Sequence, residues 1–137
     1  MEFFANLHQL GEVGLIALRI AVGVIFLVHG AQKWAMWQMQ PSAQMPAGML
    51  AMMKFLSIVE PLGGLALIIG FLTQLAALGL GIIMIGAIAL KVGMMKVPFT
   101  ANDKLGWEYD FIILAAAIAL FFFGAGSVAL DRALFGI

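Results

Sequence analysis

Arg19, His29, Lys33, Glu60, Lys91, Glu108 and Asp110 sit inside or at the ends of long apolar runs. An ionisable side chain within a membrane span is costly, usually faces the bundle interior and by default marks a functional site. The residue types suggest a definite chemistry. A histidine beside a carboxylate in a low-dielectric setting can exchange protons near neutral pH, as quinone chemistry and proton-coupled transport both require. On a helical wheel Arg19, Gly23, Phe26, Gly30 and Lys33 share a face, with His29 about 80° away from Arg19. Glu60 shares a stripe with Gly64, Leu67 and Phe71. Its carboxylate is therefore expected to meet the first span where Gly23 and Gly30 leave room, pairing with Arg19, His29 or both. Two readings stand side by side. These residues are structural ion pairs, because a buried arginine needs a carboxylate whatever the protein does, or they line a polar pocket open to one side of the membrane. Lys33, Lys54 and Lys96, taken singly, read as snorkelling interfacial residues.

Methionine is the other chemically suggestive residue. Of the 10 methionines most fall between the first and second or the third and fourth apolar runs, with M-x-x-M spacing at Met36 and Met39 and at Met49 and Met52, next to Met53. Thioethers are soft ligands that suit Cu(I). Met also supplies adaptable apolar surface, and the favoured reading of Pro46 to Lys54 is a short amphipathic segment lying in the interface or capping the pocket.

The elements that position these residues follow from hydropathy. Apolar runs over about 13–32, 55–73, 75–92 and 107–123 are each read as a transmembrane helix at 1.5 Å per residue across a core of ~30 Å. At most Thr73 and Gln74 separate the second span from the third, which forces a tight helical hairpin. The expected fold is all-α, a left-handed four-transmembrane-helix bundle forming a single integral membrane domain over residues 1–137, with a short interfacial helix in loop one. Glycines at heptad spacing (Gly23 and Gly30; Gly63 and Gly70; Gly79, Gly86 and Gly93) draw stripes along which helices can approach closely. They can join protomers as well as helices, so a homo-oligomer is a further expectation.

Composition removes several classes of function. With 64% hydrophobic and 10% charged residues and a mean hydropathy of +1.11, the chain lacks the polar surface of a soluble domain. Net charge of zero leaves no basic face for nucleic acid. The absence of cysteine excludes thiolate chemistry, iron-sulfur clusters and Cys-ligated zinc. Glu2 and Glu12 precede the first apolar run where a cleaved leader would carry basic residues, so that run is expected to remain as a span. Lys33, Lys54, Lys91, Lys96 and Lys104 gather at loops one and three, against Arg132 and the inward Arg19 on the terminal side. The positive-inside rule then puts both loops in the cytoplasm and both termini outside, with Trp34, Trp37 and Trp107 at the loop-side interface.

Arg19 followed by Phe26, HGAQK (His29 to Lys33), EPLGGLALIIGFLT (Glu60 to Thr73), WEYDFIILAAA (Trp107 to Ala117) and G-x-G-S before Leu130 and Asp131 together resemble the DoxX family of small four-helix membrane proteins. The likeness runs through nearly the whole chain in order, leaving out loops one and three. It implies a four-helix membrane fold and, by analogy with the quinone-linked thiosulfate oxidoreductase subunits that gave the family its name, contact with a quinone; thiosulfate oxidation itself is not implied. Arg19, His29, Gly30, Lys33, Glu60, Gly63, Gly64, Glu108 and Asp110 match the family pattern. Family members often carry His near the end of span three, where this chain has Lys91, a departure that weakens the carry-over of a His-based ligand or proton relay to that position.

Two functions follow as expectations. In the first, the chain is a membrane subunit acting with a redox partner in the bacterial plasma (inner) membrane: Glu60 or His29 exchanges protons with a quinone, Arg19 or Lys33 stabilises its headgroup, and Trp107 is a further candidate for binding it. No cofactor motif appears, so the partner supplies the electrons and the chain is not an autonomous enzyme. In the second it is a non-enzymatic module, an assembly or stress-response factor or a small carrier of a metal, proton or hydrophobic substrate.

Overall fold

The computed structural model describes residues 10–136, and those residues contain helices and no strand. Helix α1 (Gly11–Gln32) continues into a 3-10 turn (Lys33–Gln38); α2 (Ala47–Ile69), α3 (Thr73–Gly93), α4 (Glu108–Phe123) and a short α5 (Leu130–Phe135) follow. Glu2, which entered the reading of the N-terminus, lies outside the described residues. α1, α2 and α3 are long and apolar enough to cross a membrane. α4 has 16 residues, or ~24 Å.

Burial is inverted relative to a soluble bundle. Arg19 and Glu60 are each 3% exposed, whereas Phe122 and Phe123 are each 74% exposed. Leu62, Leu65, Leu75, Ile82 and Ile112 add to an apolar outer surface. Such a surface suits hydrocarbon, and the chain is an integral membrane protein. Phe26, Leu67, Leu80, Met84, Ile113 and Leu120 form the core between the helices.

Helix α2 begins at Ala47, eight residues before the expected start of span two at Phe55. Pro46 to Lys54 is therefore not a separate interfacial helix. The sequence AGMLAMMK is built of good helix formers apart from one glycine in the first turn, and nothing in it stops the helix. The short helical piece of loop one is instead the 3-10 turn Lys33–Gln38. At its other end α2 stops at Ile69, because Gly70 takes a left-handed conformation (φ 69°). There the Phe71 and Gly70 amides donate to the carbonyls of Ala66 and Leu67, the paired bonds of a Schellman cap. The hairpin turn is thus Gly70 to Leu72, and Thr73 already belongs to α3.

Gly23 of α1 and Gly64 of α2 let the two backbones touch: a Cβ on Gly23 would lie 2.6 Å from the Gly64 carbonyl oxygen. Gly30 packs on the Pro61 ring and Gly63 on the Leu80 side chain. The third glycine set behaves otherwise, since nothing lies within 4 Å of a Cβ built on Gly79, Gly86 or Gly93. α3 instead buries Thr73, Ala77, Leu80, Gly81 and Met84, a face about 100° or more round the helix from that stripe. Gly30→Ala drives a methyl into a ring that cannot rotate away, and is expected to cost about 1–3 kcal/mol as an overpacked contact. Gly79→Ala meets no atom and removes a helix-interior glycine, and should stabilise by up to about 1 kcal/mol. Thermal denaturation of both variants in detergent checks the contrast, and equal behaviour would refute it.

Candidate functional site

Pro61 lies in the interior of α2. Having no N–H, it cannot donate to the carbonyl four residues back, that of Ser57. In hydrocarbon such an orphan acceptor needs another donor. The Trp34 indole supplies it, Nε1 donating to the Ser57 carbonyl at 3.0 Å. Trp37, one turn on in the 3-10 segment, donates to Ser57 Oγ at 2.9 Å, and that hydroxyl donates to the Lys54 carbonyl at 2.7 Å. Ser57 is fully buried. The Lys54 ammonium lies 5.7 Å from the Trp37 ring centroid. One stripe of α2 thus receives the polar edges of the chain leaving α1.

Glu60 is one turn further along that stripe. Its Oε2 is paired with the Lys33 ammonium, which also lies 3.4 Å from the His29 carbonyl at the end of α1. Glu60 is buried while Lys33 keeps a fifth of its side chain exposed, the posture of a lysine snorkelling from an internal partner toward the interface. The expected Glu60 to Arg19 or Glu60 to His29 pairing does not occur.

A second pair stands on the other helical hairpin. Lys91, near the end of α3, places Nζ 2.6 Å from Asp110 Oδ2 in the first turn of α4, and 3.4 Å from the Gly106 carbonyl. The His29 ring stacks on Tyr109, with centroids 5.7 Å apart and planes at 19°, so it joins α1 to the residue beside Asp110. Loop three folds back beneath this pair: the Val97 amide donates to the Lys91 carbonyl and the Glu108 amide to that of Phe99. Trp107 packs edge-on against Phe99 at 4.5 Å. Glu108 Oε2 is buried and has no hydrogen-bond partner among the described residues.

Arg19 belongs to the opposite, terminal end. Nε and Nη2 donate to the carbonyls of Leu67 and Ile68 at 2.9 and 3.0 Å; Nη1 donates to those of Ala125 and Val128 at 2.6 and 2.9 Å. At the end of α2 the Gly70 amide already reaches the Leu67 carbonyl; the guanidinium fork, with five N–H groups, adds a second bond there, supplies Ile68 and holds the loop after α4. Leu67 is two turns, ~10 Å, from Glu60 along α2, which puts the two charges at different depths. Asp131 completes this end, its carboxylate accepting from the amides of Leu72 and Thr73 at 2.5 and 2.8 Å.

The loop-side end therefore gathers His29, Lys33, Glu60, Lys91, Glu108 and Asp110, with Trp107 on the returning loop. Met49, Met52 and Met53 lie in the first two turns of α2, Met52 exposed and the other two half-buried. No group of three or more His, Asp or Glu side chains able to hold a metal ion occurs among the described residues. Sequence reasoning missed Ser57, Tyr109 and the bonding role of Asp131. Pro61 was the available signal for Ser57, because it orphans the carbonyl four residues earlier.

Comparison with known proteins matches residues 14–93 to the DoxX family, which takes in α1 to α3 with Arg19, His29, Lys33, Glu60 and Lys91. The chain is 30% identical over 127 residues to "Putative oxidoreductase CatD" of Bacillus subtilis (strain 168), covering 90% of this chain and 89% of that protein. It is 32% identical over 139 residues to "Uncharacterized membrane protein Rv3486" of Mycobacterium tuberculosis (strain ATCC 25618 / H37Rv), covering 93% and 85%. No solved structure matches.

Proposed function

The chain belongs to the DoxX family of membrane proteins, and from that premise we propose that it is the membrane subunit of an oxidoreductase system that receives a quinone headgroup at the loop-side charge cluster. The observation that carries this reading is two buried carboxylates paired with partly exposed ammonium groups, Glu60 with Lys33 and Asp110 with Lys91, at the end where the His29 and Tyr109 stack joins α1 to α4. An ammonium can donate to a quinone oxygen as negative charge develops there, while a neighbouring carboxylate or imidazole takes or returns the proton. Electrons come from a partner protein, because the sequence carries no cofactor motif. α4 completes a fourth crossing, both termini lie outside, and loops one and three face the cytoplasm of a bacterial plasma membrane. Exposed Lys96 and Lys104 on the loop side accord with that orientation.

The test is thermal denaturation of the purified protein with a short-tailed ubiquinone or menaquinone. Saturable stabilisation is expected, with affinity falling at least tenfold in Asp110→Asn and His29→Leu. Absence of any shift in the wild type refutes the quinone reading. One observation favours a second reading: Glu60 Oε2 is already held by Lys33, as in a non-enzymatic assembly factor or carrier whose ion pairs only hold the helices together.

A further inference from the structure

At the end of the molecule remote from the charge cluster, the start of α1, the start of α3, the loop after α4 and α5 border an open-mouthed cavity of about 320 Å³. Glu12, Gln74, Phe123, Ser127, Asp131 and Arg132 line it. Buried charges fix its walls. Arg19 holds the loop through the carbonyls of Ala125 and Val128. Asp131 ties α5 to the hairpin turn, its amide donating to the Gly70 carbonyl at 2.8 Å and its carboxylate accepting from Leu72 and Thr73. Gly126, at φ 80°, leaves room for the Glu12 carboxylate: a Cβ there would lie 2.7 Å from Glu12 Oε2.

Two lining groups retain unused capacity. Glu12 is engaged only by Ser127, whose amide donates to Oε2, and its side chain is exposed. Arg132 is exposed and makes no side-chain hydrogen bond or direct ion pair among the described residues, although its charge acts on Glu12 across the cavity. The cavity thus offers a carboxylate and a guanidinium of opposite sign. A simple anion entering it would face Glu12 and Asp131, and a simple cation would face Arg132. A group carrying both signs meets neither penalty. Phe122 and Phe123 stand beside it with 74% of their surface exposed, so whatever occupies the cavity also adjoins the hydrocarbon.

We propose that this cavity binds the ethanolamine phosphate headgroup of an aminophospholipid, with Arg132 on the phosphate and Glu12 on the primary ammonium. Guanidinium and phosphate match as paired donors and acceptors. The ammonium N–H groups give Glu12 a charge-assisted bond that a quaternary choline lacks. This site is independent of any quinone chemistry at the other end.

Native mass spectrometry of the full chain, released from detergent with added phosphatidylethanolamine, phosphatidylcholine or phosphatidylglycerol, tests the assignment. Phosphatidylethanolamine should be retained about tenfold more tightly than either of the others. Glu12→Gln keeps an acceptor for the Ser127 amide, and should erase the advantage over phosphatidylcholine. Arg132→Gln should weaken both zwitterionic lipids. Both residues are exposed, so the variants should keep the wild-type melting temperature. Equal retention of the three lipids, or an unchanged preference in both variants, overturns the proposal. Free phosphoethanolamine binding as tightly as the lipid overturns its assignment to a lipid.

Discussion

Arg19→Met should lower the free energy of unfolding by about 4 kcal/mol, placing it among the more damaging single substitutions. The side chain is buried and donates to four backbone carbonyls from two segments far apart in sequence. Leu67 keeps the Gly70 amide and Val128 is exposed, so the loss falls on the Ile68 and Ala125 carbonyls, at about 1–3 kcal/mol for each that finds no new donor. Arg19→Lys should recover part of the loss only, since a compact ammonium has three donors and cannot span the fork. Gly70→Ala should act through the same contact, because a Cβ there would lie 2.5 Å from Arg19 Nη2 and would strain a φ of 69°. Thermal and denaturant unfolding in one detergent measure all three. A loss below 1 kcal/mol for Arg19→Met would mean that other groups replace the guanidinium.

That role was only half legible in the sequence. The helical wheel placed Arg19 on the inward face of α1 and Glu60 on an inward stripe of α2, and both are buried. A wheel gives azimuth, however, and says nothing about relative depth. Depth is set by the register of α1 on α2, which the Gly23 to Gly64 and Gly30 to Pro61 contacts fix. In that register Glu60 faces the end of α1 and Lys33, while Arg19 reaches the end of α2. The bias that every buried arginine seeks a carboxylate also misled, because helix-end carbonyls are an equally good sink for its donors. Charge spacing alone did not pair Lys91 with Asp110, as the depth of α4 against α3 depends on how loop three folds back. The boundaries of α2 erred because hydropathy falls at Lys54 although helix propensity does not, and because the left-handed Gly70 stops the helix before the apolar run ends. Gly79, Gly86 and Gly93 show the converse: heptad spacing marks a stripe, but only the neighbouring helix decides whether it is packed.

The second large effect separates the two readings of Lys33 and Glu60. Lys33→Met leaves a carboxylate buried without its counter-ion, and should cost about 2 kcal/mol, less than the 3–5 of a fully enclosed pair because Lys33 is partly solvated. Glu60→Leu should cost a similar amount, tempered by the freedom of the lysine to swing outward. The double variant removes both charges and replaces them with apolar groups of comparable volume. Its stability should return to within about 1 kcal/mol of wild type, a large favourable coupling for two side chains in direct contact. Stability alone would then suggest that the pair is dispensable, and quinone binding supplies the discriminating readout. If Lys33 and Glu60 serve only to hold α1 on α2, the stable double variant retains the thermal response to quinone. If they receive the headgroup, a protein as stable as wild type loses at least tenfold in affinity. Placing Lys33 and Glu60 at the headgroup requires the second outcome, because the double variant keeps Lys91 with Asp110 but offers the quinone oxygen nothing from the first pair. Retained affinity in a stable double variant would remove Lys33 and Glu60 from the site and leave Asp110, His29 and Tyr109 as its residual candidates.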